Sequence, residues 1–410
     1  MEPGMQNEVL QPMSRRLEAN SERRYGAAFR EYMEVNREPD QLPGSQRCSL
    51  EYRHRSIPSI GCAVPHGIVV QSFLRWKLAI SLESLFRDLF VGMNRPCSLD
   101  ADSLKDMAMK ILITGSKGQV GRSLVEEGAK RGLHVIGLGK AELDVSCPRS
   151  VANAVQLANP DLIINAAAYT AVDAAEEQVE AAYRVNRDGA HQLAKEAQRH
   201  GIPLFHLSTD YVFDGALARP YVESDQTNPI SVYGASKRAG ELQVQQFEKH
   251  LILRTSWVFG RHGSNFVKTM LRLAGETELR VVDDQVGCPT SADRIASVLL
   301  DLALRYQADG KLPWGLYHYS SQPACSWFEF AQAIFEQAVR AGIVRHPPRL
   351  TPIATEAYPT PAKRPAWSVL DCSRFTEAFG IPPALWSVDL EAVIDALKSP
   401  CGLFDEAVSA

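Results

Sequence analysis

The chain has 410 residues, 45% of them hydrophobic and 22% charged. This is globular composition and excludes a collagen-like or wholly disordered chain; the length suits roughly two to three domain-sized units. Forty-four basic residues against 48 acidic ones give a net charge of −4, so no basic field marks a nucleic-acid partner.

Residues 1–108 carry no chemical motif. Up to His66 they hold many arginines and no lysine, and turn signals such as Gln41–Gln46 recur. The start lacks the basic-then-apolar pattern of a signal peptide. The most apolar stretch, Gly67 to Gly92, is broken by Arg75, Lys77, Glu83, Arg87 and Asp88. Charges at that density suit an amphipathic helix and are too costly for a bilayer span, so no membrane partner is expected. Residues 1–108 read as an N-terminal extension, poorly ordered or untranslated, with the working chain starting near Met109. The eight cysteines show no CxxC pair and read as reduced thiols in a cytoplasmic protein.

From Met109 the pattern changes. Strand KILITG leads into a Gly-rich turn and a helix from Gly115 to Arg131, then strand HVIGLG, helix VANAVQLANP and strand DLIINAAA. A helix over roughly Glu176–Gly201, strand IPLFHLST, helix SKRAGELQVQQFEKH and strand LILRTSWVFG follow. Continuous apolar strands alternating with helices predict an α/β fold with a doubly wound, Rossmann-type parallel sheet. Residues 109–260 form its dinucleotide-binding part. Residues 261–400 read as a smaller, mixed α/β substrate-binding region and 401–410 as a tail. Beyond Gly260, helices are predicted over Phe266–Leu273, Ser291–Tyr306 and Trp327–Ala341, with strands LRVVDD and LYHYS between them. The Pro-rich HPPRLTPI and AYPTPAKRP read as ordered loops.

Gly115, Gly118 and Gly121 follow a strand and open a helix. Glycines there permit a tight turn, and the helix N-terminus offers unpaired N–H groups to a pyrophosphate. The GxxGxxG spacing resembles extended short-chain dehydrogenases/reductases. Where an NAD-specific enzyme carries an acid for the ribose 2′-hydroxyl, the second strand ends in Gly139 and Lys140. With no carboxylate there, and with Lys140 and Lys117 available to attract a 2′-phosphate, NADPH is the expected cofactor, with NADH as a substitute.

Tyr233 and Lys237 in YGASK stand one helical turn apart and share a face. A free phenol, with a pKa of about 10, is a poor acid–base group at neutral pH, and a nearby ammonium is expected to lower it. Thr209 and Asp210 close the fourth strand, where an open α/β sheet presents ligand-binding groups. Thr209 can hydrogen-bond a substrate carbonyl.

In chain order GSKGQVG, NAAAYTAVDAAE (165–176), STDYVFDG (208–215), YGASK, RTSWVFG (254–260), NFVKTMLRLA (265–274), DDQVGCPT (283–290) and AYPTPAKRP (357–365) resemble the dTDP-4-dehydrorhamnose reductase family from Met109 to about Pro400. The resemblance implies NAD(P)H-dependent reduction of the 4-keto group of a dTDP-linked 6-deoxyhexose, making a precursor of cell-envelope polysaccharide. It implies that Gly118, Gln119 and Val120 touch the cofactor pyrophosphate and that Asp144 and Val145 flank the adenine. Ala167, Ala168, Tyr169 and Thr170 would line the nicotinamide side. Thr209 and Asp210 would meet the sugar, with Val172 and Trp257 packing on it; for Trp257 a core role stays open. Tyr233 is the implied proton donor, with Lys237 tuning it and holding the cofactor. Where some family members have a glutamate for a Mg²⁺ at a dimer contact, this chain has Ser123, which argues against a metal site. Monomer and homodimer both stay open. Two other readings remain: a dehydratase or epimerase on the same fold, for which Tyr211 stands where a 4,6-dehydratase needs a carboxylate, and a non-catalytic dinucleotide-binding subunit like the regulatory subunit of methionine adenosyltransferase.

Overall fold

A computed structural model describes residues 109–398. The readings of residues 1–108, including the amphipathic helix between Gly67 and Gly92, and of the tail 401–410 lie outside the described residues.

Five strands are buried almost end to end or nearly so: β1 (Lys110–Thr114), β3 (Leu162–Asn165), β4 (Leu204–Thr209), β5 (His250–Thr255) and β10 (Gly315–His318). With the more exposed β2 (His134–Leu138) they form one parallel sheet in the order β10-β5-β4-β3-β1-β2. Because side chains alternate across a strand, each apolar run feeds two cores. Ile111, Ile113, Phe205, Leu251 and Leu253 face α1 (Gln119–Lys130) and α8 (Ala292–Asp309). Leu112, Ile163, Leu204 and Ile252 face α2 (Pro148–Ala158), α5 (Ala190–His200) and α6 (Val232–Val244). The Rossmann-type α/β expectation is met.

Two elements from beyond residue 260 complete this layer. β10 pairs with β5 as the sheet's edge, and α8 packs along α1. Arg131 at the end of α1 bonds Asp301 (2.7 Å) and Ser297 (2.7 Å) of α8.

A smaller core gathers α7 (Phe266–Arg272), α9 (Trp327–Arg340) and α11 (Trp386–Leu397) around Phe330, Ile334, Leu390 and Ile394. A capping box opens α9: the Ser326 hydroxyl accepts from Glu329 N–H, and the Glu329 carboxylate accepts from Ser326 N–H. Within HPPRLTPI, expected as a loop, Arg349–Ile353 is instead strand β12, parallel to β7 (Glu278–Val282). Pro352 sits in this two-stranded ribbon, where each strand has an unpaired edge that tolerates a missing N–H.

The helix expected over Glu176–Gly201 is interrupted. It forms α3 (Val172–Glu177), α4 (Val179–Tyr183), a π-helical turn (Arg184–Gly189) and α5. The π turn carries the buried Asn186, whose side chain accepts from Tyr169 N–H (2.8 Å) and donates to Tyr169 O (3.1 Å) and Ser236 Oγ (2.9 Å). The irregularity thereby ties the chain beyond β3 to α6.

Inside the sheet lies a buried ion pair. Glu241 on α6 is fully buried and accepts from Arg254 of β5 through Nε (2.8 Å) and Nη2 (2.7 Å), from Ser208 of β4 (2.6 Å) and from Arg238 (3.0 Å). Glu241→Leu would leave the Arg254 guanidinium, 1% exposed, without its charge partner. We expect a loss of about 3–5 kcal/mol in denaturant unfolding, the usual result of breaking one side of a buried pair.

Candidate active site

The glycine turn lies between β1 and α1. Gly115 has a left-handed φ of +66°, and a Cβ on it would meet the Ala167 backbone at 2.7 Å. A Cβ on Gly121 would stand 2.1 Å from Gly115 O. The N-cap of α1 is Gly118, so no N-cap side chain occupies the first N–H groups of the helix. Gln119 and Val120, half-buried, form that turn. The loop beyond β5 leans on it, since Asn265 Nδ2 donates to Gln119 Oε1 (3.0 Å).

At the end of β2, Lys117 and Lys140 are both exposed. The expectation of no carboxylate there is corrected. Glu142 folds back and accepts from Gly139 N–H (2.9 Å), an acid three residues later that strand-end spacing does not reveal. Asp144 accepts from the hydroxyl (2.6 Å) and N–H (2.9 Å) of Ser146, which hold its carboxyl below the usual range. Val145 is buried in the core against Gly189, so only its backbone is left to border a ligand.

Beyond β3, Ala167, Ala168 and Tyr169 are half-buried and Thr170 is exposed. Half-buried Val172 opens α3. Its neighbour Asp173 binds Arg364 (2.7 Å) and accepts from Ala362 N–H (3.2 Å), which joins the NAAAYTAVD and AYPTPAKRP segments.

The residues expected to carry acid–base chemistry lie at the carboxyl ends of β4 and β5. Ser231 caps α6, its hydroxyl accepting from Gly234 N–H (3.2 Å), and the first turns of α6 present Tyr233 and Lys237. Lys237 Nζ donates to Leu207 O (2.6 Å) and is buried. The Thr209 side chain lies within hydrogen-bonding reach of the Tyr233 hydroxyl, and it donates to Asp210 Oδ1 (3.0 Å). Tyr211 packs edge-on to Tyr233 at 5.9 Å.

Burial pushes the Tyr233 phenol up to about 12, with the Asp210 charge adding to it. Burial brings the Lys237 ammonium down to about 8. The expected depression of the phenol by the ammonium is not what sets its pKa: desolvation raises it, and the opposing influence is the Thr209 hydrogen bond. Buried Asp210 is pushed up to about 7 by desolvation, which outweighs the lowering effect of Ser368 and Thr209 beside it.

Trp257 is half-buried, stacked on Trp327 with ring centroids 3.5 Å apart. Its φ of +46° is a left-handed conformation strained for a bulky residue. Gly287 makes room for the indole, since a Cβ there would stand 2.4 Å from its ring.

The sequence profile of the RmlD substrate binding domain matches residues 109–399. The chain belongs to the dTDP-4-dehydrorhamnose reductase family. A family member from Aggregatibacter actinomycetemcomitans is 45% identical over 287 residues, 69% of this chain and 98% of that one. The dTDP-4-dehydrorhamnose reductase structure from Clostridium acetobutylicum superposes with a TM-score of 0.66 at 39% identity, covering 71% of this chain and all of that one. The Bacillus anthracis reductase, solved in complex with NADP, gives a TM-score of 0.65 at 35% identity, covering 71% of this chain and 100% of that one.

Among the described residues no cluster of three or more His, Cys, Asp or Glu could hold a metal ion, and no helix is long and apolar enough to cross a membrane. Ser123, where some reductases have a glutamate, is buried within α1. The described cysteines, Cys147, Cys288, Cys325 and Cys372, are free thiols. Residue types and spacing do not reveal Asn186, Glu241 or the Asp173–Arg364 link. Their only signal is membership of the family's segments or proximity to them.

Two outcomes follow. A carboxyl whose folded pKa is raised stabilises the fold at low pH and loses that contribution as pH rises through the folded value. Asp210→Asn should therefore gain stability over the unsubstituted protein by ~1.4 kcal/mol per pH unit between about pH 4 and about pH 7, then level off, in unfolding titrations run across that range. Gly287→Ala should destabilise by about 1–3 kcal/mol through overpacking and weaken the near-ultraviolet circular dichroism of the Trp257–Trp327 stack.

Proposed function

We propose that this protein reduces the 4-keto group of dTDP-4-dehydro-L-rhamnose to give dTDP-L-rhamnose, with NADPH as the reductant and NADH as a substitute. The observation that carries this reading is the meeting of Tyr233, Thr209 and Lys237 at the carboxyl edge of the sheet, across β3 from the glycine turn. The relatives named above support the substrate, and the relative solved with NADP supports the cofactor.

The turn fits a dinucleotide. Side chains at Gly115 and Gly121 would strike the chain's own backbone, so the tight turn requires glycine, and Gly118 puts no side chain over the first N–H groups of α1. In this reading Gly118, Gln119 and Val120 hold the pyrophosphate, and Asp144 and the Val145 backbone border the adenine. Lys117 and Lys140 answer a 2′-phosphate, while the Glu142 carboxylate is engaged by Gly139 N–H. Ala167, Ala168, Tyr169 and Thr170 line the nicotinamide side, and Lys237 holds the ribose.

NADPH, when bound, supplies the hydride that the keto carbon receives. The chain's own residues supply the rest. Thr209 and Tyr233 bind the keto oxygen, and the Tyr233 phenol, protonated at neutral pH, transfers its proton to that oxygen as negative charge grows on it. Lys237 holds a positive charge beside the phenolate left behind. Asp210 orients the sugar, and Val172 and Trp257 pack against its ring. Residues 109–260 serve the cofactor and 261–400 the substrate, with α8 and β10 contributed back to the first.

The test follows NADPH oxidation with the dTDP-4-keto sugar. The unsubstituted protein should turn over, and Tyr233→Phe should lose about 10²–10⁴-fold in kcat while still binding NADPH. Full activity in Tyr233→Phe overturns the acid assignment. Absence of turnover in the unsubstituted protein, with NADPH still bound, favours the regulatory-subunit reading.

A further inference from the structure

One cross-strand row of the sheet is polar where its neighbours are apolar. Thr114, Asn165 and His206 are register partners on β1, β3 and β4, and all three are buried. The orientation of the Asn165 amide is fixed by two donors, because its Oδ1 accepts from the Thr114 hydroxyl (2.7 Å) and from Ala167 N–H (3.1 Å). Its Nδ2 therefore faces His206 Nδ1, 2.9 Å away. An amide nitrogen only donates, so His206 Nδ1 accepts and the ring proton sits on Nε2. Burial and the Lys237 charge hold the imidazole's pKa far below its usual value, so the ring is neutral.

That Nε2–H is buried and meets no partner among the described residues. With Nδ1 turned to β3, Nε2 points the other way, and the charge acting on the ring is the Lys237 ammonium. Lys237 is held to the carbonyl of Leu207, the next residue along β4. An ammonium has three donors, and this contact uses one. Lys237 is thus anchored one residue along β4 from a buried ring N–H that still lacks an acceptor, and a water molecule has two lone pairs with which to meet both donors.

We infer that His206 Nε2–H and the Lys237 ammonium share one buried water, which makes His206 a positioning residue for the acid–base pair. The inference rests on the Tyr233–Lys237 reading above. Water held from two sides fixes where the ammonium sits, and with it the field at the Tyr233 phenol. The Thr114–Asn165–His206 row sets the tautomer that makes this possible.

Two substitutions separate this role from a purely structural one. His206→Gln places an amide N–H near Nε2 and keeps the donor. His206→Asn keeps a polar group near Nδ1, facing Asn165, and removes the donor. We expect kcat for NADPH-dependent reduction of the dTDP-4-keto sugar to fall about tenfold or more in His206→Asn and to stay within about threefold in His206→Gln. Equal activity in the two, or activity kept by Asn and lost by Gln, overturns the inference. Should either variant fold poorly, a high-resolution crystal structure of the unsubstituted protein decides. An ordered water within hydrogen-bond distance of both His206 Nε2 and Lys237 Nζ is expected, and its absence there overturns the inference. Activity surviving in Tyr233→Phe would instead sink the underlying acid assignment, whatever His206 does.

Discussion

A carboxylate taken out of water must find donors for its oxygens, and Glu241 finds them on two strands and on its own helix. Arg254 reaches it from β5, Ser208 from β4 and Arg238 from one turn earlier on α6. Glu241 lies one helical turn beyond Lys237 and two beyond Tyr233, so fixing it fixes the rotation and height of α6 on the sheet. Arg254 and Ser208 in turn stand next to Thr255 and Thr209, which are register partners. Desolvating the charges offsets much of the attraction, so the pair's main contribution here is to position rather than to strengthen. A sliding or rotated α6 would have to abandon a buried guanidinium.

On this frame the site is tuned chiefly by dryness. Burial moves the groups at the end of β4 toward their neutral forms: Tyr233 and Asp210 upward, Lys237 and His206 downward. The Tyr233 phenol therefore keeps its proton at neutral pH. The Asp173–Arg364 link adds a second constraint, joining the start of α3 to the loop at the far end of the chain. The start of α3 and the 360–364 loop are thereby held to one spacing.

The α/β plan, the strand sequence and the helix that carries Tyr233 and Lys237 are legible in the amino-acid sequence because each follows from local pattern. Apolar runs flanked by glycine and proline mark the strands, and Tyr233 and Lys237 share a face through helical periodicity alone. What escapes is set by contacts across the fold. The π turn around Asn186 arises from bonds to Tyr169 and Ser236, which no local propensity encodes. Strand β12 looks like a loop because prolines interrupt it, and only its pairing with β7 makes it a strand. Glu142 lies outside the usual position of a ribose-binding acid and returns through a turn. The tuning of Tyr233 was expected from charge, whereas desolvation sets it, and burial depends on elements distant in the chain.

The order of elements in the sheet bears on how the chain is made. β5 gains its outer neighbour only when β10 has been synthesised, and α1, laid on the sheet, gains its outer cover from α8. A nascent polypeptide that has just delivered α6 still presents an open strand edge and a bare hydrophobic surface. On the ribosome this half cannot close upon itself early. It must wait for His318 to emerge, and through that interval a chaperone has an edge to guard.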